Sequence, residues 1–222
     1  MGFGRQRAAW LGTAVTVAAV AGAVLAWIFE AQGWRAPLLL AASTGYMAVA
    51  IGGDRPYRAY GWLVIAALGC CWLGDFFGPG NFLLGVAFFL AAHLLLIPAF
   101  VVRGTSLAAL GSGLIVSGIG TAAVVCSLAM NIPPGQKPLI YAYAFVIALM
   151  LGFALGTWGR GSRGLIPIAA IIFFVSDLFL AQTAFLGGGR IWTITGYPLY
   201  YLACLLFAWS VARNPVAAAT RP

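Results

Sequence analysis

Eight times along this chain, an apolar stretch of about 20 residues is closed by a short polar or Gly/Pro-rich punctuation. The stretches cover residues 8–28, 34–52, 60–77, 81–102, 106–129, 137–158, 164–185 and 191–211. At 1.5 Å rise per residue, a helix of that length crosses the roughly 30 Å hydrocarbon layer of a bilayer. Hydrocarbon offers no partner to a bare N–H or C=O, so a spanning segment has to bond internally. The pattern therefore predicts an all-α fold: a polytopic membrane bundle of eight transmembrane helices. The punctuations, such as "FGPGN", "NIPPGQK" and "GRGSR", mark turns, and none is long enough for a soluble domain. One integral-membrane domain over residues 1–222 is expected.

Composition excludes the alternatives. Of 222 residues, 63% are hydrophobic and 7% charged, where a soluble domain carries about a quarter charged residues. Disordered chains are polar and charged, the opposite of this one. Cys70, Cys71, Cys126 and Cys204 all fall inside apolar runs and form no CxxC pair, so they read as small hydrophobes. With one histidine and no clustered thiols, no metal or organic cofactor is expected. The formal charge of +8 comes from basic residues between the apolar runs. It points to lipid headgroups and topology rather than to nucleic acid.

Those basic residues also set an orientation. With the N-terminus inside, nine of them (Arg5, Arg7, Arg55, Arg58, Arg103, Arg160, Arg163, Arg213 and Arg221) are cytoplasmic and three (Arg35, Lys137 and Arg190) are outside. Both termini are then expected in the cytoplasm. The first stretch follows Arg5 and Arg7 and contains Ala21-Gly22-Ala23. It is longer than a usual signal core and is expected to stay as an uncleaved anchor. The expected location is a bacterial inner membrane.

The acids are few: Glu30, Asp54, Asp75 and Asp177. Glu30 and Asp54 fall in connections with arginines nearby, ordinary solvated positions. Asp75 lies near the outer end of span three and Asp177 past the middle of span seven. A carboxyl at the centre of a spanning helix costs about 2.5–3.5 kcal/mol on insertion scales, which makes it a functional candidate. His93, in the middle of span four, is by itself an interhelical hydrogen-bonding group. Beside a carboxyl it becomes able to hold a tautomer or pass a proton. The three are expected to share one cavity. Gly74 permits a close approach next to Asp75, and "GSGLIVSGIG" (111–120) reads as a packing face. Tyr141, Tyr143, Tyr197, Tyr200 and Tyr201 suit a membrane interface. Tyr200 and Tyr201 lie deeper than a belt residue, so one of them is expected to point inward.

Five motifs in order carry a resemblance. They are "LGD" (73–75), "FLLGVAFFLAAH" (82–93), Pro138 with Tyr141, "FFVSD" ending in Ser176-Asp177, and "YYLA" (200–203). In this order and span count the chain resembles the YhhN-like lysoplasmalogenase family of eight-helix membrane proteins, from about Pro37 to Leu206. It departs at Ala36, Cys71, Leu96 and Cys204, where the family often has lysine, serine, tyrosine and glutamine. Those losses strip polar contacts from the expected cavity.

The resemblance implies hydrolysis of the vinyl ether bond of lysoplasmalogens to a fatty aldehyde and a glycerophospho-alcohol, with a lysophospholipid and the bilayer as partners. The residues suit that chemistry independently. Protonating the outer alkene carbon generates an oxocarbenium ion, which water captures, much as glycosidases work with two carboxyl groups. Removal from water favours the neutral form of a carboxyl, and neighbouring carboxyls separate into an acid and a base. Asp75 and Asp177 are the expected catalytic pair. His93, Gly74, Ser176, Tyr141, Tyr200 and Tyr201 are the expected supporting or substrate-binding residues, and Arg35 or Arg190 is placed to meet a phosphate. Two rival readings use the same acids. A small proton-coupled transporter would use them as protonation sites, distinguishable by uptake without product. A lipid-binding protein would leave its lipid unchanged.

Overall fold

In lipid the backbone must satisfy itself, and the chain does so as helices. The computed structural model describes residues 3–52, 59–159, 164–187 and 189–212. These form α1 (Phe3–Ile28), α2 (Gln32–Gly52), α3 (Ala59–Phe77), α4 (Phe82–Arg103), α5 (Leu107–Leu128), α6 (Lys137–Gly156), α7 (Leu165–Phe185) and α8 (Arg190–Ala212), with one 3-10 turn at Pro134–Gln136. No strand occurs among the described residues. Seven of the helices, all but α2, are long and apolar enough to cross a membrane. The protein is thus an integral, multi-pass membrane protein. α2 has comparable length but carries Gln32, Arg35, Ser43 and Thr44, and these lower its mean hydropathy. Arg55, Arg58, Arg160, Arg163, Arg213 and Arg221, on which the orientation reading leans, lie outside the described residues, as does Asp54.

Short connections make consecutive helices pack as hairpins, α1 on α2, α3 on α4, α5 on α6 and α7 on α8. The turns have identifiable causes. Asn81 caps α4 by accepting the Leu84 N–H at 3.1 Å. Gly104 ends α4 at φ +99°, donating to the Phe100 and Val101 carbonyls. Between helices there is little hydrophobic drive in lipid, so close backbone approach and polar contacts hold the hairpins. At Gly45 of α2, a Cβ would stand 2.7 Å from the Gly12 carbonyl of α1, and beside it Thr16 Oγ1 donates to the Ala42 carbonyl at 3.1 Å. Within the stretch 111–120 the packing role is divided. Gly113 meets Gly152 and Leu155 of α6, whereas Gly111, Gly118 and Gly120 face open space.

α8 is the inner helix, packed on α1, α2, α3 and α7, with Tyr200, Tyr201, Cys204, Phe207 and Ala208 buried. α4 packs on α3 and α6. α5 is peripheral, seated mainly on α6 and barely touching α7. Its Leu107, Ile115, Val116 and Ile119 are exposed, which suits a face turned to acyl chains.

Candidate active site

Asp75 and Asp177 each stand in a built polar group. Around Asp75, Oδ2 accepts three hydroxyls: Ser43 of α2 at 2.5 Å, and Tyr200 and Tyr201 of α8 at 3.0 and 3.2 Å. Ser43 and Tyr201 have a second acceptor in common, the Leu39 carbonyl, at 3.0 Å from each. The Tyr46 hydroxyl lies 3.5 Å from that of Tyr200. Each hydroxyl owns one hydrogen, so Ser43 or Tyr201 turns it either to Asp75 or to Leu39. The network therefore accommodates both protonation states. With Asp75 ionised the hydroxyls donate to it. With a proton on Oδ2, the carboxyl donates to a hydroxyl whose own hydrogen goes to Leu39. A carboxyl that gains and loses a proton in a dry interior needs such a partner set, because an unsatisfied polar group there is costly. Asp75 is half-buried, and among the described residues all three hydroxyls reach its Oδ2 and none its Oδ1.

Around Asp177, Oδ2 accepts the Tyr143 hydroxyl of α6 at 2.6 Å and faces His93 Nε2 of α4 at 3.5 Å. His93 is fully buried. Its Nδ1 lies 2.7 Å from the Phe89 carbonyl one turn back. A carbonyl only accepts, so Nδ1 carries a hydrogen. Nε2 has no hydrogen bond. In the neutral ring it presents a lone pair to Asp177, and in the cationic ring it presents an N–H. The gap is thus placed so that a proton held there would be shared between the acid and the imidazole.

The two groups share a wall. The Phe173 ring lies edge-on to His93 at 4.8 Å and to Tyr200 at 5.5 Å between centroids. The Phe89 ring meets Tyr200 at 5.6 Å while its carbonyl holds His93. No hydrogen bond joins Asp75 to Asp177 among the described residues. The absence of a side chain at Gly74 is what lets Phe89 in, since a Cβ there would stand 2.9 Å from the ring.

Asp177 also lines a cleft of about 70 Å³ between α5, α6 and α7, whose other polar groups are Thr121 and Tyr143 and whose remaining lining includes Val124, Ile140, Phe174 and Leu178. Neither Asp75 nor His93 lines it, so the one cavity expected to hold all three is not what the structure shows: Asp75 and Asp177 stand in separate polar groups on either side of the Phe89 and Phe173 rings. A second hollow of about 240 Å³, with Asn131 and Gln136 in its wall, shares Phe185 with the first.

The other expected residues divide. Tyr200 and Tyr201 both point inward onto Asp75. Ser176 is buried but donates to the Phe173 carbonyl of its own helix at 2.7 Å. Tyr141 is exposed, and the tyrosine two places on, Tyr143, turns in to Asp177. Arg190 pairs with Glu30 and donates to the Ile28 carbonyl at 3.2 Å. Arg35 donates to the Ala26 carbonyl at 3.5 Å and lies over the Trp27 ring. Ser43, Tyr46, Tyr143 and Thr121 were not singled out from the sequence as site residues. Hydroxyls in apolar helices usually bond their own backbone, so only helix rotation reveals which ones face a carboxyl. Three His, Cys, Asp or Glu residues do not gather to hold a metal anywhere among the described residues.

Fold and site together define a class: a multi-pass helical membrane protein with two inward carboxyl groups, one facing an imidazole at the wall of an apolar cleft. The sequence model of the YhhN family matches residues 35–211, and the chain belongs to that family. Among curated relatives, "Lysoplasmalogenase TMEM86B" of Sus scrofa is 34% identical over 172 residues, 76% of this chain and 69% of that protein. The protein of the same name from Rattus norvegicus is 28% identical over 200 residues, 86% of this chain and 79% of its own length. The one from Mus musculus is 28% identical over 195 residues, 86% and 82% of the two chains. No solved structure matches.

Proposed function

We propose that this protein hydrolyses the vinyl ether bond of a lysoplasmalogen, releasing a fatty aldehyde and a glycerophospho-alcohol such as glycerophosphoethanolamine or glycerophosphocholine. Family membership and the names of the relatives support the substrate class. The observation that carries the chemistry is Asp177: a carboxyl held by Tyr143, opposed by a tautomer-fixed His93, in the wall of an apolar cleft.

In the proposed mechanism a carboxyl in its acid form gives its proton to the outer alkene carbon. The ether oxygen then shares the positive charge of the oxocarbenium ion, and water adds to the inner carbon. The resulting hemiacetal collapses, with the carbon–oxygen bond to glycerol breaking and a proton returning to the glycerol oxygen. Asp177 and Asp75 are the proposed acid and base pair. Asp177 draws on a proton shared with His93 across their gap, which tightens to hydrogen-bonding distance as substrate fills the site. Asp75, whose hydroxyl network tolerates either charge state, is the second carboxyl, acting through the oxygen that the hydroxyls leave free. His93 is a positioning residue. The proposal includes eight spans with both termini cytoplasmic and a bacterial inner membrane as the location, in one membrane-embedded domain.

The test is aldehyde release from a lysoplasmalogen by purified protein, compared with Asp75→Asn and Asp177→Asn. Loss in both variants supports the pair. Full activity in both removes it. Lipid uptake by proteoliposomes with no aldehyde formed would favour a carrier instead.

A further inference from the structure

Thr121 of α5 is the anomaly in the apolar cleft. Its side chain is more than nine-tenths buried, with 9% of its surface exposed, and its Oγ1 has no hydrogen-bond partner. It nonetheless lines the same cleft as Asp177 and Tyr143. The three are level. Counting 1.5 Å per residue from the nearest helix ends, Thr121 lies about 10 Å below the end of α5, Tyr143 about 9 Å below the start of α6, and Asp177 about 12 Å below the end of α7. These ends lie on one face of the bundle, because α5 is joined to α6 there and consecutive helices run antiparallel. Thr121, Tyr143 and Asp177 thus stand at one level of a hydrocarbon-lined cleft, their oxygens set just behind its apolar surface, so a chain seated there would meet a few polar contacts within an otherwise apolar groove. Its width is that of a gap between α5 and α7, which barely touch.

We propose that this cleft is the subsite for the single hydrocarbon chain of a lysophospholipid, with Thr121 Oγ1 donating a hydrogen bond to the oxygen that joins the chain to glycerol. The lining is apolar where methylenes would lie, and the unpartnered hydroxyl stands level with the carboxyl that would meet the adjoining bond. Thr121 then fixes which carbon faces Asp177. The identity of the lipid rests on the hydrolytic reading above; the presence of a chain-binding cleft with an oxygen-seeking hydroxyl does not.

The test uses the full chain in nanodiscs and a saturated 1-O-alkyl lysophosphatidylcholine, which has the ether oxygen but no vinyl bond to cleave. Binding is read by native mass spectrometry alongside an analogue with methylene in place of that oxygen. Thr121→Val, isosteric but without the hydroxyl, is expected to weaken the ether lipid about fivefold and leave the methylene analogue unchanged. Ala181→Trp, which fills the cleft, is expected to weaken both by at least tenfold. Equal binding of the ether lipid by wild type and Thr121→Val overturns the role of Thr121, and this variant decides the matter should Ala181→Trp fail to fold. Wild-type affinity in a folded Ala181→Trp overturns the cleft as the subsite. If both variants behave as expected but the wild type releases no aldehyde from a lysoplasmalogen, the hydrolytic reading fails and the subsite stands. If aldehyde is released and neither variant alters binding, the subsite fails and the hydrolytic reading stands.

Discussion

His93 Nε2 stands 3.5 Å from Asp177 Oδ2, while Nδ1 of the same ring is tied to the Phe89 carbonyl at 2.7 Å. The second contact fixes the tautomer, and the first leaves a place for one proton. Asparagine would put an N–H near the position of Nδ1 and nothing at Nε2. His93→Asn is therefore expected to keep its thermal midpoint close to wild type while aldehyde release falls roughly 100-fold, the usual scale for a lost acid–base partner. A histidine that serves only to bridge helices would leave the asparagine variant active.

Tyr143 holds the same carboxyl oxygen from α6 at 2.6 Å. Tyr143→Phe removes one hydroxyl and no ring contact, so its effect reports the hydrogen bond. Loss of about 0.5–1.5 kcal/mol of stability is expected, together with a larger loss in kcat than in KM. Denaturation midpoints and steady-state kinetics on the two proteins check both expectations.

Asp75 should be less sensitive to any single donor than Asp177 is to Tyr143. Three hydroxyls serve its Oδ2, and Ser43 and Tyr201 are interchangeable on the Leu39 carbonyl. Ser43→Ala and Tyr201→Phe are each expected to reduce activity by less than about tenfold, and the double variant by more than the product of the two. Strict additivity in this cycle would mean that the hydroxyls act separately.

Gly74 couples the two groups through Phe89. A methyl added there meets the ring at 2.9 Å, and Phe89 also carries the carbonyl that fixes His93. Gly74→Ala is expected to cost about 1–3 kcal/mol, as overpacking does. Its activity should also fall, and a nitrogen-15 histidine spectrum should show a changed Nδ1 environment. An unaltered spectrum would confine the effect to packing.

The helix set was legible in the sequence because lipid imposes a single rule on length and polarity. Expected stretches such as 60–77 and 164–185 nearly coincide with α3 (Ala59–Phe77) and α7 (Leu165–Phe185). α2 marks the limit of that rule. Its length was readable, but Ser43 and Thr44 dilute the apolar signal, and Ser43 turns out to serve Asp75. The carboxyls and the histidine stood out because charge in hydrocarbon is rare. Their company did not. Tyr141 and Tyr143 are equally plausible from spacing, yet two positions on a helix differ by about 200° in direction, and only packing on α4 and α7 selects Tyr143. The wall of Phe89 and Phe173 was invisible for the same reason, since a phenylalanine in an apolar run carries no mark of which neighbours it will meet.

The most direct measurement follows fatty aldehyde released from a lysoplasmalogen by purified wild type, Asp177→Asn and Asp75→Asn, each shown to be folded by its thermal midpoint. The account predicts steady release by the wild type and at least roughly 100-fold less from each variant, with the glycerophospho-alcohol appearing in equal amount to the aldehyde. Release by a folded Asp177→Asn at the wild-type rate would contradict it.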